Sequence, residues 1–337
     1  MKINPLEHHT SLNCETGVMS CLLKNKQINI NDDLLFGIGA GLYFIYMPFV
    51  KIQGIPMFSQ RHALGSILKN ASKFLGLEFT IKKYPNIDVA MKALDDKIEE
   101  GTLVGLTGDL YYLNVYPEFV KIHFNGHNFI VYGKNEKGYC VSDPIVQELQ
   151  VIPFDSIRQA RFSKGIDNPK GKMYWLSKYD VNNIDLASAT KKGITLTCER
   201  MLNKYFIFGG IKGIRFFAKK LGKYPKIYST EKVKNYLTHY IRMQEIVGSG
   251  GSGYRIQYAS FLKQAGEILN NPTISKLGTY METVLVPAWR NLSVEMARST
   301  RKNAINDISK FEKMRDMLLD VADKEENLFK ELQKTIK

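Results

Sequence analysis

Three residue types able to run nucleophilic acyl chemistry stand far apart in this chain: a cysteine at position 14, a histidine at 127 and an aspartate at 143. A thiolate attacks an acyl carbon, an imidazole carries protons, and a carboxylate fixes the imidazole tautomer and favours its charged form. Cys14 lies in "HHTSLNCETGVMSCLL", followed by Val18, Cys21, Leu22 and Leu23 at the spacing of one buried helical face. That spacing predicts a helix starting just after Asn13 or Cys14, and a helix N-terminus lowers a thiol pKa through its aligned backbone dipoles. The competing expectation is that Cys14 is a small packing residue beside an apolar run.

His127 and Asp143 flank an expected hairpin. "NFIVYG" (128–133) and "YCVSDP" (139–144) are rich in β-branched and aromatic residues, and "KNEKG" between them reads as the turn. A turn centred on 135–137 sets His127 opposite residues 144–146 and so brings Asp143 near it across the ladder. Asp109 in "TGDLYYLN" is a second carboxylate with three readings: the partner of the imidazole, a site for a cationic amine, or a turn aspartate. Glu15 could face an amine or simply favour the first helical turn.

The elements that must position these residues fall into two regions. After the first helix, helices are expected from His62 to Leu75 and from Asp88 to Glu100. Strands are expected at 102–109, 119–124, 128–133 and 139–144, with a further one at "MYWLS". Helices followed by an antiparallel meander make an α+β domain, residues 1–180. Residues 181–337 read as mainly helical, most clearly from Asn303 onward, where Ile308, Phe311, Met314, Leu318, Val321 and Leu332 mark one stripe. "VGSGGSGYR" (247–255) interrupts this half. It resembles a mobile connector and lacks the Lys and Ser/Thr ending of a nucleotide loop.

Composition narrows the classes. A chain of 337 residues, 44% hydrophobic and 24% charged, can bury a substantial core. Four cysteines without a Cys-x-x-Cys pair predict reduced thiols rather than a disulfide scaffold, and the six histidines are not spaced to bind a metal. The apolar run 34–50 is short for a bilayer span and broken by Gly37, Gly39, Gly41 and Pro48, so it is expected as buried structure. The first residues lack a secretory layout, and the cytoplasm is the expected location.

The net charge of +14 is unevenly placed: 20 basic residues oppose 18 acidic ones over 1–180, against 27 and 15 over 181–337. Met201–Tyr228 holds seven Lys or Arg and no acidic residue, interleaved with "YFIFGG" and "IRFF". Such a segment suits an acidic protein or an anionic membrane surface, with Lys212, Arg215, Lys219 and Lys220 as candidate contacts. Nucleic acid is the weaker choice, since no recognition module is present. A solvated basic helix with its aromatics in the core accounts for the same pattern.

The order of a cysteine at a helix start, a distant "GHNFIVYG" and then "SDP" resembles the papain-like cysteine peptidases. More specifically, "LNCETGVMSCLL", "LLFGIGAGLYF", "GHNFIVYG", "GGSGYRIQYASFL" and "VPAWRNLS" resemble the family of butirosin biosynthesis protein H. The resemblance implies a papain-like N-terminal domain, a helical C-terminal domain and an acyltransferase. In that reading an acyl group leaves the phosphopantetheine thioester of an acyl carrier protein, rests on Cys14 and passes to a small amine acceptor. His127 would act as base and acid, and Asp143 would orient it. Papain-like enzymes carry a Gln six residues before the nucleophile. Here that position is His8, which leaves His8, His9 and Asn13 as candidate oxyanion donors beside the Cys14 amide.

Overall fold

The computed structural model describes residues 2–116, 122–165, 168–301 and 304–337. In chain order, its first elements are β1 (Lys2–Ile3), α1 (Cys14–Lys24), α2 (Asp32–Ile38), β2 (Leu42–Ile52), β3 (Ile55–Arg61) and α3 (Ser66–Leu75). Next come β4 (Glu78–Lys82), α4 (Ile87–Glu99), β5 (Val104–Gly108), β6 (His127–Asn135), β7 (Gly138–Ser142), β8 (Gln150–Ile152), α5 (Phe154–Phe162) and β9 (Met173–Lys178). The helical series is α6 (Leu186–Met201), α7 (Gly210–Leu221), α8 (Tyr224–Ile227), α9 (Thr230–Glu245), α10 (Arg255–Ile268), α11 (Pro272–Tyr280), α12 (Val286–Ser299) and α13 (Ile308–Thr335). The fold is α+β, an antiparallel sheet in the N-terminal region and helices in the C-terminal part.

Two compact units form, one from 1–35 and 75–184, the other from 36–74 and 185–337. The expected split at 180 differs from this in one respect, because residues 36–74 pack with the helical unit. The cause is the apolar run 34–50: its strand β2 pairs with β3 and buries Phe44 and Tyr46 against Phe217 of α7.

The sheet of the first unit runs β4-β9-β5-β6-β7-β8, with β1 added to β6. Its central strands are buried on both faces, so the middle of β6, Phe129 to Tyr132, is continuously apolar rather than alternating. On one face Phe129 and Val131 of β6 join Leu106 of β5, Met91, Leu94 and Ile98 of α4, and Ile157 and Ala160 of α5 in a single core. α1 packs against β6 from the other side.

Several expectations shift by a turn or a strand. The helix expected from His62 begins at Ser66, because β3 runs to Arg61 and Gly65 turns the chain with a φ of +79°. Of the strand expected at 119–124, residues 119–121 lie outside the described residues, and 122–124 form none. Asn303 also lies outside them; the last helix begins at Ile308, with Phe311, Met314, Leu318, Val321 and Leu332 buried along its inner face.

The segment expected as a mobile connector is instead interior. Ser249 and Ser252 are fully buried; Ser249 Oγ donates to the Gln244 carbonyl at 2.7 Å and the Ser252 amide to Glu245 Oε2 at 3.1 Å. Gly248, Gly250, Gly251 and Gly253 all have positive φ. At Gly253 a Cβ would stand 2.0 Å from Gln60 Oε1. The glycines serve a tight left-handed turn under close packing, not flexibility.

Candidate active site

Asn13 ends the polar loop as the N-cap of α1, its Oδ1 accepting from the amides of Glu15 at 2.9 Å and Thr16 at 3.3 Å. Cys14 is therefore the first helical residue and lies buried, 8% exposed. Ser11 donates its amide to the Pro144 carbonyl at 2.7 Å, which ties the loop before the nucleophile to the segment after Asp143. Gly17 allows that approach: a Cβ there would meet the Cβ atoms of Pro144 and Ser11 at 2.6 Å each.

The hairpin closes as expected at Asn135 and Gly138, and its pairs run to Ile130 opposite Ser142 with a bulge beside Gly133. Asp143 follows directly after β7, while His127 opens β6 opposite Gly108 of β5. His127 Nε2 donates to Asp143 Oδ2 at 2.7 Å, and His127 also hydrogen-bonds the Cys14 side chain. With Nε2 committed to the carboxylate, Nδ1 is the ring nitrogen left to meet the sulfur. The structure thus brings Cys14, His127 and Asp143 together, with the imidazole 2% and the carboxylate 0% exposed.

The charges of this array are coupled. Burial alone would lower the His127 pKa, but Asp143 and the negative charge on Cys14 outweigh it and raise it to about 10. Burial would raise Asp143, yet His127, Tyr116 and the Ile145 amide, 3.0 Å from Oδ1, hold it below the usual carboxylate range. Asp143 and a charge on Cys14 both favour the imidazolium form of the ring, the form that stabilises a neighbouring thiolate.

Two further side chains belong to the array. The Tyr116 hydroxyl donates to Asp143 Oδ2 at 2.5 Å and stands 3.0 Å from His127 Nε2. Asn128 accepts at Oδ1 from Tyr174 OH at 2.9 Å and from Thr107 Oγ1 at 3.3 Å. Those donors orient its amide, so Nδ2 points toward Cys14 Sγ at 3.8 Å and to the Gly126 carbonyl at 3.1 Å. Gly105 is needed beneath Tyr174, since a Cβ would stand 2.5 Å from its ring. Neither residue carries a sequence signal: Tyr116 sits in an irregular aromatic stretch, and Asn128 reads as one polar position in a strand.

The other candidates have different partners. His8 Nδ1 accepts from Ser142 Oγ at 2.8 Å while Nε2 donates to the carbonyls of Val146 and Gln147, so both nitrogens brace the end of β7. His9 Nε2 bonds Asp32 at 3.2 Å, and that bond raises its pKa. Asn13 is occupied as a cap. Glu15 is buried near Tyr174, where its charge adds to burial in raising the phenol pKa. Asp109 has its own partners, accepting from the Tyr111 and Phe124 amides and pairing with His123 at 2.9 Å. It is a turn-capping carboxylate, and Asp143 is the one on the imidazole.

Among the basic candidates, Arg215 pairs with Asp323 and Glu326 at 2.6 Å, and Lys212 donates to the Lys204 carbonyl. Lys219 and Lys220 stay exposed at the end of α7, Lys220 over the Phe216 ring. All four cysteines are thiols outside any disulfide. Among the described residues no three His, Cys, Asp or Glu side chains group to hold a metal, and no helix is long and apolar enough to cross a membrane.

A cysteine at a helix start, packed on an antiparallel sheet that supplies a histidine and then an aspartate, defines the papain-like class of cysteine enzymes. Two family models match the chain: Butirosin biosynthesis protein H, N-terminal, over residues 13–144, and Domain of unknown function (DUF4872) over 155–332. The chain belongs to the family that the second describes, and its N-terminal part is butirosin biosynthesis protein H-like. Among solved structures it is similar to a protein described as a C39-like peptidase from Bacillus anthracis, at 14% identity over 53% of this chain and 99% of that one, with a TM-score of 0.38. No curated protein matches.

Proposed function

We propose that the chain is a cysteine-dependent acyltransferase that takes an acyl group from the phosphopantetheine thioester of an acyl carrier protein and passes it to an amine. The observation that carries this reading is the buried array of Cys14, His127 and Asp143 at the start of α1. The Cys14 thiolate attacks the thioester carbonyl. The Cys14 backbone amide at the helix start and the Asn128 Nδ2 group donate to the charge that moves between sulfur and oxygen. Collapse expels the pantetheine thiolate, which takes the proton of the His127 imidazolium.

The acyl group now rests on Cys14 and His127 is neutral. An amine attacks the acyl carbon and gives its proton to His127, and the Cys14 thiolate leaves, restoring the ion pair. Asp143 holds the ring and its charge throughout, and Tyr116 holds Asp143. A cavity of about 690 Å³ beside the array's chain neighbours is lined by Ser11, Leu12, Pro144 and Ile145 with charged groups of both signs, Lys24 and Asp32 among them, and gives an acceptor room to approach. The basic excess of the C-terminal half suits an acidic carrier.

Incubation with an acyl-loaded carrier protein, followed by intact-mass measurement, tests the reading. An acyl adduct on the native chain that is absent from Cys14→Ala, and an amide product once an amine is added, are the expected results. No adduct, or an equal one on the variant, overturns it. A free acid formed equally with and without amine reassigns the same array to a thioesterase or peptidase.

A further inference from the structure

In the helical unit the loop after α6 is fixed along β2. Tyr46 donates its amide to the Phe208 carbonyl at 2.9 Å, Ile45 bridges to Gly209, and Asn203 Oδ1 accepts from the Tyr205 and Phe206 amides at 2.8 and 3.1 Å. The tip so held presents apolar side chains to solvent. Tyr205 is 83% exposed, Ile207 48% and Phe206 37%, and beside them Phe49 of β2 is 64% exposed with its ring 5.0 Å from that of Phe208. A rigid turn has no folding reason to expose four large apolar side chains together.

The segments that form this tip carry charge of one sign. Residues 34–77 and 200–230, which supply β2 and the loop of the patch, contain no Asp or Glu. The carboxylates that reach α7 from α13, Asp323 and Glu326, are paired with Arg215. Lys204 lies over the Tyr205 ring at 5.3 Å and Lys212 donates to the Lys204 carbonyl, placing two exposed ammonium groups at the base of the tip.

We infer that this tip is a docking surface for an anionic lipid bilayer, with Phe49, Tyr205, Phe206 and Ile207 entering the headgroup boundary and Lys204 and Lys212 meeting lipid phosphates. Single protruding rings fit a lipid interface, which needs no matching pocket, and tyrosine has an apolar body with a polar end suited to that depth. The lysines supply the attraction to anionic headgroups.

Co-sedimentation of the full chain with vesicles of phosphatidylcholine, alone or mixed with phosphatidylserine, tests this. Expected is binding at least about tenfold stronger to the mixed vesicles, weakened but not abolished by high salt. Tyr205→Ser with Ile207→Ser should lower binding at both salt levels by about tenfold or more, as loss of two buried apolar side chains demands. Lys204→Gln with Lys212→Gln should reduce only the preference for phosphatidylserine. Cys14→Ala should bind as the native chain does, which separates this surface from the thiol chemistry. No sedimentation with either vesicle, or binding unchanged by Tyr205→Ser with Ile207→Ser in a chain whose circular dichroism is native, overturns the inference. So does capture of an acidic carrier protein through these residues without vesicle binding.

Discussion

In the first unit a buried carboxylate, Asp143, is shared by His127 and Tyr116; in the second, Glu325 is shared by Arg255 and Trp289. Glu325 accepts from Arg255 Nε at 2.8 Å, from its Nη2 at 3.1 Å and from Trp289 Nε1 at 2.7 Å. The guanidinium also stacks on the Trp289 ring at 4.4 Å and donates to Gln60 and the Gly253 carbonyl. Every group in that cluster is a hard donor or acceptor matched by another, so nothing in it can move a proton or bond to a guest. Around Asp143 the chain of bonds ends on sulfur, a weak acceptor, through an imidazole able to release its proton. A buried ion pair closed on itself fixes shape; one that terminates on a thiol is poised to react.

Substitutions can break this contrast, the largest effect first. Cys14→Ala should abolish acyl loading and lower turnover by about 10⁴-fold or more, measured by product formation, while leaving the thermal transition in place. Asp143→Asn should cut kcat by about 10²- to 10⁴-fold. It should also lower the His127 titration point, read by NMR, from about 10 toward the ordinary 6.5, because burial then acts with one opposing charge fewer. Since the folded-state pKa of His127 is raised, the pair's stability contribution is complete below pH 6.5 and fades as pH climbs through about 10. Asp143, held low, contributes above the ordinary carboxylate range and loses that contribution as pH falls through its folded-state value.

Arg255→Met should show the opposite profile, destabilising the fold by about 3–5 kcal/mol in denaturant titration because it strands Glu325. Adding Glu325→Leu should recover much of that loss, as no buried charge then remains. Asn128→Ala should slow acyl loading by about 10²-fold with little change in KM, the signature of a donor used in the transition state. Tyr116→Phe sharpens the comparison most finely: a drop of about tenfold in kcat, with the fold intact, would mark the hydroxyl as a brace on Asp143.

Much of the array was legible because its chemistry travels with local structure. The helix start at Cys14 follows from the apolar spacing after it, and the nearness of Asp143 to His127 follows from counting across a two-stranded turn. Tyr116 and Asn128 were not legible, since what recruits them is distant: Asp143 across 27 residues and Tyr174 across 46. The oxyanion candidates have other partners for a related reason. His8 and His9 lie near Cys14 in sequence, but Ser142 and Asp32 had first claim on their nitrogens. The glycines at 248–253 misled because composition cannot distinguish a loose linker from a left-handed turn packed under Gln60. The apolar run 34–50 announced burial without saying in which unit, and the burial holds for Leu34, Phe36, Phe44 and Tyr46 but not for Phe49 near its end.

The strand β9 sits between β4 and β5 in the sheet of the first unit, and Tyr174 on it steers Asn128, although it belongs to the stretch matched by the second family model. Residues 36–74, matched by the first, meanwhile fold with the helices. Genetic dissection between the two matches would thus leave each fragment missing a piece of its own interior. Halves exchanged between relatives at that junction should therefore carry mismatched interiors, and a gene split there should restore acyl loading only when both products are made together.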